Sequence, residues 1–265
     1  VQNAIGEVDQ KRRQKFGQRQ DVAVGTNMYA NLSEVLPEAR QPDFDPLWQT
    51  RAATAKEVKS RHSATSMLAQ FAKLAGDRAA KITDVVDAGI QAVEQGATLG
   101  ELSACILGEA PGHENITPIT IQRKTEAYET LRKKSTEIAS RTGKAPTVFL
   151  ANMGPLRQHK SRAEFSTGFL QPGGFSIINP DGFDKIEDAV SAALESKAPI
   201  VVICSTDDTY PDLVPAFTEE IKKHRPDVMV LVAGYPKEHV ARFQELGVDD
   251  FIHLKADNLQ ILTKL

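Results

Sequence analysis

Short apolar runs alternate with amphipathic segments at a regular spacing through the second half of the chain. The runs VVIC and VMVLV are continuously apolar, which is typical of strands that are covered on both faces of a sheet. Strands separated by helices predict a parallel, doubly wound α/β domain. The five predicted strands cover residues 147–152, 175–179, 200–205, 228–233 and 250–254, and helices are expected to begin near Ser161, Lys185, Pro211, Lys237 and Asn258.

The first 143 residues have a different pattern, in which apolar side chains recur mostly at helical spacing. One exception is the segment DVAVGTNMY at residues 21–29, which predicts a strand. Another is LPEARQPDFDPLW at residues 36–48, whose prolines and acids predict an extended linker. Helices are predicted over residues 1–20, 54–94, 99–107 and 119–142, so this part is a mainly helical extension in front of the α/β domain.

These patterns divide the chain into three parts. A single strand cannot satisfy its own backbone groups, so residues 1–35 are expected to be the tail of a larger domain. Residues 36–143 are the linker and helical region, and residues 144–265 are the α/β domain. The chain begins at Val1 without a methionine, and we expect it to be a piece of a longer protein.

Composition narrows the function classes. The net charge is only -3 and no long basic run is present, which argues against nucleic acid as the main partner. The two cysteines, Cys105 and Cys204, lie far apart in apolar surroundings and are expected to be free thiols in a reducing compartment. No signal peptide and no run of about 18 apolar residues is present, so we expect a cytoplasmic protein.

The loops that follow the strands carry the candidate chemistry, because ligands of a doubly wound sheet bind at the carboxyl ends of its strands. The loop after the first strand reads MGPLRQHKS and lacks the glycines of a phosphate-binding loop. No P-loop and no GxGxxG motif occurs elsewhere in the sequence. A nucleotide cofactor is therefore not expected.

Asp207, Asp208 and Lys255 follow the third and fifth strands, as the acceptor aspartate and lysine of response regulators do. That chemistry also needs an acidic pair after the first strand to hold Mg²⁺, which prefers oxygen ligands. Asn152 and Met153 stand there instead. We therefore disfavour a phosphoryl receiver and expect the two aspartates to cap the following helix.

Metal-binding and nucleophilic sites have equally little support. Ser205, Thr206 and Thr209 lack the histidine and carboxylate that would activate a hydroxyl, and turn or cap hydrogen bonds explain them. His159 is the histidine that falls in a crevice loop, and its position is the reason to consider it. No HxxxH or Cys/His cluster of metal-site spacing is formed by the six histidines, which are His62, His113, His159, His224, His239 and His253.

Several segments of the chain resemble methylmalonyl-CoA mutases. Residues 146–169, PTVFLANMGPLRQHKSRAEFSTGF, are similar to the first strand, loop and helix of their cobalamin-binding domain. The segments CSTDDTY, AGYP and GVDDFIH resemble most the small subunit of the two-subunit bacterial enzymes. DVAVGTNMYAN resembles the last strand of that subunit's TIM barrel. The resemblance implies a flavodoxin-like, five-stranded domain of the cobalamin-binding type, with residues 1–35 as the tail of a TIM-barrel domain.

The resemblance also identifies what this chain lacks. In the catalytic branch of the family, the loop after the first strand carries Asp-x-His-x-x-Gly, whose histidine binds cobalt and is oriented by the aspartate. The matching positions here are Leu156, Gln158 and Ser161. Leucine accepts no hydrogen bond, glutamine is a poor cobalt ligand, and a side chain in place of glycine narrows the space. His159 is one residue out of step, so we expect its side chain to point elsewhere.

For the function, the resemblance implies a non-catalytic small subunit that forms a heterodimer with a large catalytic subunit carrying adenosylcobalamin. That enzyme interconverts methylmalonyl-CoA and succinyl-CoA, and we expect no catalytic, cofactor-binding or metal-binding residue in this chain. One alternative is a small-molecule or corrinoid-binding sensor that uses the same crevice, with His159, Ser205 and Gly234 beside it. Another is an active mutase fragment with His159 as cobalt ligand. A deep cavity behind residues 155–161 would favour a sensor, and a crevice filled by Leu156 would favour the scaffold.

Overall fold

The computed structural model describes residues 1–34, 42–61, 63–108, 115–116 and 118–265. The chain divides into two compact units, one of Val1–Val35 with Pro118–Leu265 and one of Leu36–Thr117. The first is called the α/β unit and the second the helical unit. The first part of the predicted linker, residues 36–41, and the histidines at 62 and 113 lie outside the described residues.

The elements of the α/β unit alternate along the chain after its first two helices. Its helices are α1 (Gln2–Gly17), α6 (Glu126–Thr142), α7 (Leu156–Leu170), α8 (Ile186–Ser196), α9 (Tyr210–His224), α10 (Val240–Glu245) and α11 (Asn258–Lys264). Its strands are β1 (Thr147–Asn152), β2 (Ser176–Ile178), β3 (Ile200–Cys204), β4 (Met229–Ala233) and β5 (Asp250–Ile252). In the helical unit lie α2 (Asp45–Arg61), α3 (Thr65–Gly76), α4 (Ile82–Glu94) and α5 (Leu99–Leu107).

The five strands form one parallel sheet in the order β2-β1-β3-β4-β5. This confirms the predicted flavodoxin-like fold, and each of the five strands predicted for the α/β domain is present within two residues of its expected bounds. Val202 pairs with Leu150 on one side and Leu231 on the other, so the centre of the sheet is apolar in both directions. In this order the chain passes from β1 to β2 on one side and from β3 to β4 on the other. The connections that leave β1 and β3 therefore run in opposite directions along the sheet.

Side-chain alternation along the strands gives the sheet two covered faces. Phe149 and Val201 point to the face on which α8, α9 and α10 pack. Leu150 and Val202 point to the other face, which is covered by α7, α11, α6 and the end of α1. The continuously apolar strands of the sequence are therefore explained by burial on both sides.

Residues 1–34 pack within the α/β unit, and the predicted strand at residues 21–29 is wrong. Val24 and Met28 form only an isolated bridge. The segment is a turn organised by Asn27, whose side-chain oxygen accepts from the Ala23 N–H and whose amide donates to the Phe16 and Asp21 carbonyls. A turn of this kind needs no neighbouring strand. The assignment of residues 1–35 to a TIM-barrel domain stays a prediction.

The predicted linker at residues 36–48 is also corrected, because helix α2 already begins at Asp45. Its start is fixed by Asp43, whose carboxylate accepts a hydrogen bond from the Asp45 N–H. Pro46 lies in the first turn, where a missing N–H costs nothing. Helix α6 in turn begins later than predicted, at Glu126, whose carboxylate accepts from the Arg123 N–H.

The helical unit is a small bundle of short helices. Gly89 of α4 lies against the ring of Phe71 in α3, where an added Cβ would stand 3.3 Å from a ring carbon. Helix α5 begins with a capping box between Thr98 and Glu101. Hydrogen bonds from Lys59 and from Thr98 lower the pKa of Glu101 to about 2. Within the described residues of the chain, no helix has the length and apolarity to cross a membrane.

Candidate functional site

The candidate site is the crevice at the carboxyl ends of β1, β3 and β4. Helix α7, which follows β1, packs on one face of the sheet, and α9, which follows β3, packs on the other. The loops after the two strands therefore diverge where the strand order reverses, which is where a doubly wound sheet forms its ligand crevice, and this region is called the crevice here. The loop after β4, which contains Gly234, borders the same opening.

Tyr210 closes the floor of this crevice. Its side chain is fully buried, and its hydroxyl donates to the Ala233 carbonyl at 2.7 Å and accepts from the Ser205 N–H at 3.1 Å. Ser205 in turn donates to the Met153 carbonyl at 3.2 Å and accepts from the Thr209 hydroxyl at 2.9 Å. The ends of three neighbouring strands are thus joined by side chains of the β3–α9 loop and the first turn of α9. Burial raises the pKa of Tyr210 above its ordinary value, so the hydroxyl stays protonated.

An ion pair lies across the mouth of the crevice. Arg162 of α7 donates to the Asp207 carboxylate at 2.8 Å. A Cβ added to Gly234 would stand 3.0 Å from that carboxylate and 3.2 Å from the Tyr210 ring. The Arg162 guanidinium lies 3.5 Å from the same point, so three side chains surround the position that a side chain at Gly234 would take. The predicted cap role of Asp207 and Asp208 is wrong, because no side chain caps α9, and the Asp207 carboxylate binds Arg162 instead.

The three positions that match the family's cobalt-binding motif lie at the start of α7 but do not converge on one point. Leu156 is 63% exposed, so it does not fill the crevice in the way that would favour the scaffold. Ser161 is also exposed on the outer surface of the helix. The Gln158 side chain folds back over Gly154, whose positive φ and missing Cβ make room for it.

His159 is buried beneath the loop that follows β2. Only 4% of the residue is exposed, and a Cβ added to Gly182 would stand 2.6 Å from its Nε2. The loop is tied to β1, because the Phe183 N–H donates to the Asn152 carbonyl and the Gly154 N–H donates to the Phe183 carbonyl. The Nδ1 atom has no hydrogen-bond partner within the described part of the chain. The imidazole therefore lies on the β2 side of β1, away from the crevice between β1 and β3.

Burial of this imidazole makes stability depend on pH. Desolvation lowers the pKa of His159, and the nearby Asp181 carboxylate opposes the effect only in part. The unfolded chain therefore binds the proton more readily than the folded chain. Because of this difference, the free energy of unfolding is highest above the ordinary pKa of 6.5 and falls as pH drops below it. We expect His159→Gln to flatten the loss of unfolding free energy between neutral and mildly acidic pH.

Urea unfolding at several pH values measures this slope. His253→Gln provides a second case, because burial also lowers the pKa of His253, which lies after β5. Each single substitution should remove part of the slope, and the double substitution should remove more. An unchanged slope in His159→Gln would contradict the assignment of a buried, neutral imidazole.

The remaining candidates do not assemble into a site. Among the described residues, no group of three or more His, Cys, Asp or Glu side chains could hold a metal ion. Both cysteines are free thiols, as predicted, and burial raises the pKa of Cys204 to about 12. His224 pairs with Glu220 on the surface of α9. Sequence reasoning missed the role of Tyr210, which stands just before the predicted helix start at Pro211 and whose hydrogen bonds no sequence pattern indicates.

Comparison with known proteins gives the family that this chain resembles. Residues 1–110 match the methylmalonyl-CoA mutase family model. The methylmalonyl-CoA mutase small subunit of Porphyromonas gingivalis is 34% identical over 149 residues, which are 56% of this chain and 23% of that protein. The large subunit from Propionibacterium freudenreichii is 26% identical over 133 residues, 50% of this chain and 18% of that protein. The resemblance to the small subunit, stated from the sequence, is confirmed.

These relatives are much longer than the chain, which spans less than a quarter of the length of the small subunit from Porphyromonas gingivalis. Among solved structures, a cobalamin-binding protein from Desulfitobacterium hafniense aligns with a TM-score of 0.38 and 17% identity. That alignment covers 80% of this chain and 97% of the solved one.

Proposed function

We propose that this chain is part of the small, non-catalytic subunit of an adenosylcobalamin-dependent methylmalonyl-CoA mutase. Its role is to stabilise a heterodimer with the large catalytic subunit in the cytoplasm. The complex is an isomerase that interconverts methylmalonyl-CoA and succinyl-CoA in propionate metabolism. The observation that carries the proposal is the crevice, whose mouth and floor are occupied by the chain's own side chains and whose motif position holds Gln158 instead of a histidine.

The residues of the crevice do not fit a cobalamin. The position that matches the cobalt-binding histidine is Gln158, an amide folded over Gly154. The position that matches its orienting aspartate is Leu156, which accepts no hydrogen bond. A nucleotide tail that entered the crevice as far as its floor would displace the buried hydroxyl of Tyr210, which satisfies two backbone groups. Leaving such groups unpaired costs about 1–3 kcal/mol each.

We therefore assign no catalytic residue, no cofactor-binding residue and no metal ligand to this chain, and we place adenosylcobalamin in the large subunit. A corrinoid sensor is disfavoured because Arg162 and Asp207 cover the Gly234 backbone, where a ligand would enter. An active mutase fragment with His159 as ligand is disfavoured because Gly182 covers that imidazole. In both cases the chain's own residues occupy the place that a ligand would need.

Co-expression with the cognate large subunit tests the proposal. We expect the two chains to elute together in equal amounts from a sizing column, with one cobalamin per pair of chains. The large subunit should also unfold at a higher temperature in the complex than alone, because a partner that binds the native state stabilises it. Separate elution of the two chains at micromolar concentration would overturn the proposal.

A further inference from the structure

Helix α4 of the helical unit has two apolar faces, only one of which is used within the unit. The first contains the buried Ala88 and Ala92 and the half-buried Gly89, which lies against the ring of Phe71 in α3. The second is here called the α4 stripe and consists of Ile82, Val86, Ile90 and Val93. At about 100° per residue these four side chains fall within an arc of about 80°. Their exposed fractions range from 52% to 75%.

The α4 stripe is too apolar to be an ordinary surface. Single exposed hydrophobic residues are common, but a continuous stripe along a helix marks a surface that another body covers. The helical unit has only a small core, and the four residues of the α4 stripe are not part of it. Its buried hydrophobic residues, within the part that the structure describes, are Phe71, Ala88, Ala92 and Ala97.

Acidic side chains border the α4 stripe on the side away from α3. By the same helical geometry, Asp87 and Glu94 lie next to Ile90 along that border. Both are exposed, and within the described ranges neither has an ion pair. Their charge is therefore available to a partner. The surface thus combines an apolar strip with a negative rim, and its complement is an apolar strip with Lys or Arg beside it.

We infer that the α4 stripe is a docking surface for the large subunit, at a region of that subunit where apolar side chains are bordered by Lys or Arg. This rests on the proposed heterodimer. A second copy of the chain is a poorer occupant, because each copy would bring Asp87 and Glu94 to the contact. A helix of 13 residues is also only about 20 Å long and supplies a minor part of the roughly 800 Å² per partner that a stable interface buries. The stripe is therefore one element of a larger contact.

Charge reversal tests the rim. We expect Asp87→Lys with Glu94→Lys to raise the Kd for the cognate large subunit about tenfold or more. The matched control is Asp188→Lys with Glu195→Lys, an exposed Asp and Glu at the same spacing on α8 of the other unit. The control should change the Kd less than about twofold. Far-UV circular dichroism of each variant checks that the helices are retained.

Loss of apolar surface tests the strip. Val86→Ser with Ile90→Ser should weaken the complex about tenfold or more, whereas Val22→Ser with Val24→Ser, on exposed valines of the α/β unit, should not.

A large subunit that binds all variants as it binds the native chain would overturn this inference and leave the proposed heterodimer standing. Weakening by the serine pair without weakening by charge reversal would overturn the basic partner surface. Self-association lost in the serine pair would make a second copy the occupant, and failure of the native chain to bind would overturn the proposed function itself.

Discussion

Tyr210→Phe is expected to lower the free energy of unfolding of the α/β unit by about 2–4 kcal/mol. The substitution removes one oxygen and leaves the ring in place, so the loss reports the hydrogen bonds alone. The Ser205 N–H loses its acceptor and the Ala233 carbonyl loses its donor. Both groups lie at the buried ends of central strands, where water does not readily replace the missing partner.

Urea unfolding followed by circular dichroism measures this loss. Tyr235→Phe is the matched control, because the Tyr235 side chain is 46% exposed and its contacts are ring contacts with Phe251 and His253. The control should stay within about 0.5 kcal/mol of the native chain. If Tyr210→Phe is equally mild, Tyr210 does not hold the floor of the crevice.

Asn27→Ala is expected to cost about 2–4 kcal/mol, since one fully buried side chain makes three hydrogen bonds to backbone groups. One of these reaches Phe16, whose ring packs edge-on against Tyr128 of α6 at 5.6 Å. The loss should therefore loosen α1 from the α/β unit as well as the turn. Faster proteolysis within residues 1–34 is the expected accompanying sign.

Asn31→Ala provides the comparison for this substitution. The Asn31 side chain also accepts hydrogen bonds, from the Ser33 N–H and hydroxyl, but it is exposed to solvent. Its loss should cost less than about 1 kcal/mol. Equal costs for the two asparagines would mean that residues 1–34 are not an integral part of the unit.

The sheet could be predicted well from the sequence because its strands are covered on both faces. A continuous apolar run such as residues 200–204 is typical of a strand that is buried on both faces of a sheet. Strand β1 begins and ends where predicted. The prediction of a strand at residues 21–29 is wrong for a related reason. Their apolar and β-branched residues satisfy a strand pattern, but the single side chain of Asn27 binds three backbone groups and makes a turn instead.

Helix boundaries depended on caps that the period of apolar residues does not report. Pro46 suggested a linker, yet a proline in the first turn starts α2. Pro155 likewise stands as the N-cap of α7, which begins at Leu156 rather than near Ser161 as predicted. In both cases the proline marks the beginning of a helix, and the apolar residues that define its packed face come later.

In the crevice, the expectation that the family's histidine is missing rests on the resemblance at Gln158 and stays a prediction. The contacts that the structure places there could not be predicted from the sequence. The pair of Arg162 and Asp207 joins residues 45 positions apart, and their contact depends on α7 crossing the end of β3. The Tyr210 hydroxyl reaches β4 only because the sheet places β3 and β4 side by side.

We propose that this crevice does not accept cobalamin, and a spectroscopic titration is the test of that proposal. Adenosylcobalamin is added to the purified chain, and the absorbance is followed for loss of the base-on spectrum of the free cofactor. We expect an unchanged base-on spectrum, and we expect no cobalamin to be retained after gel filtration. A complex of micromolar or tighter affinity with a base-off spectrum, in which a histidine of this chain binds cobalt, would contradict it.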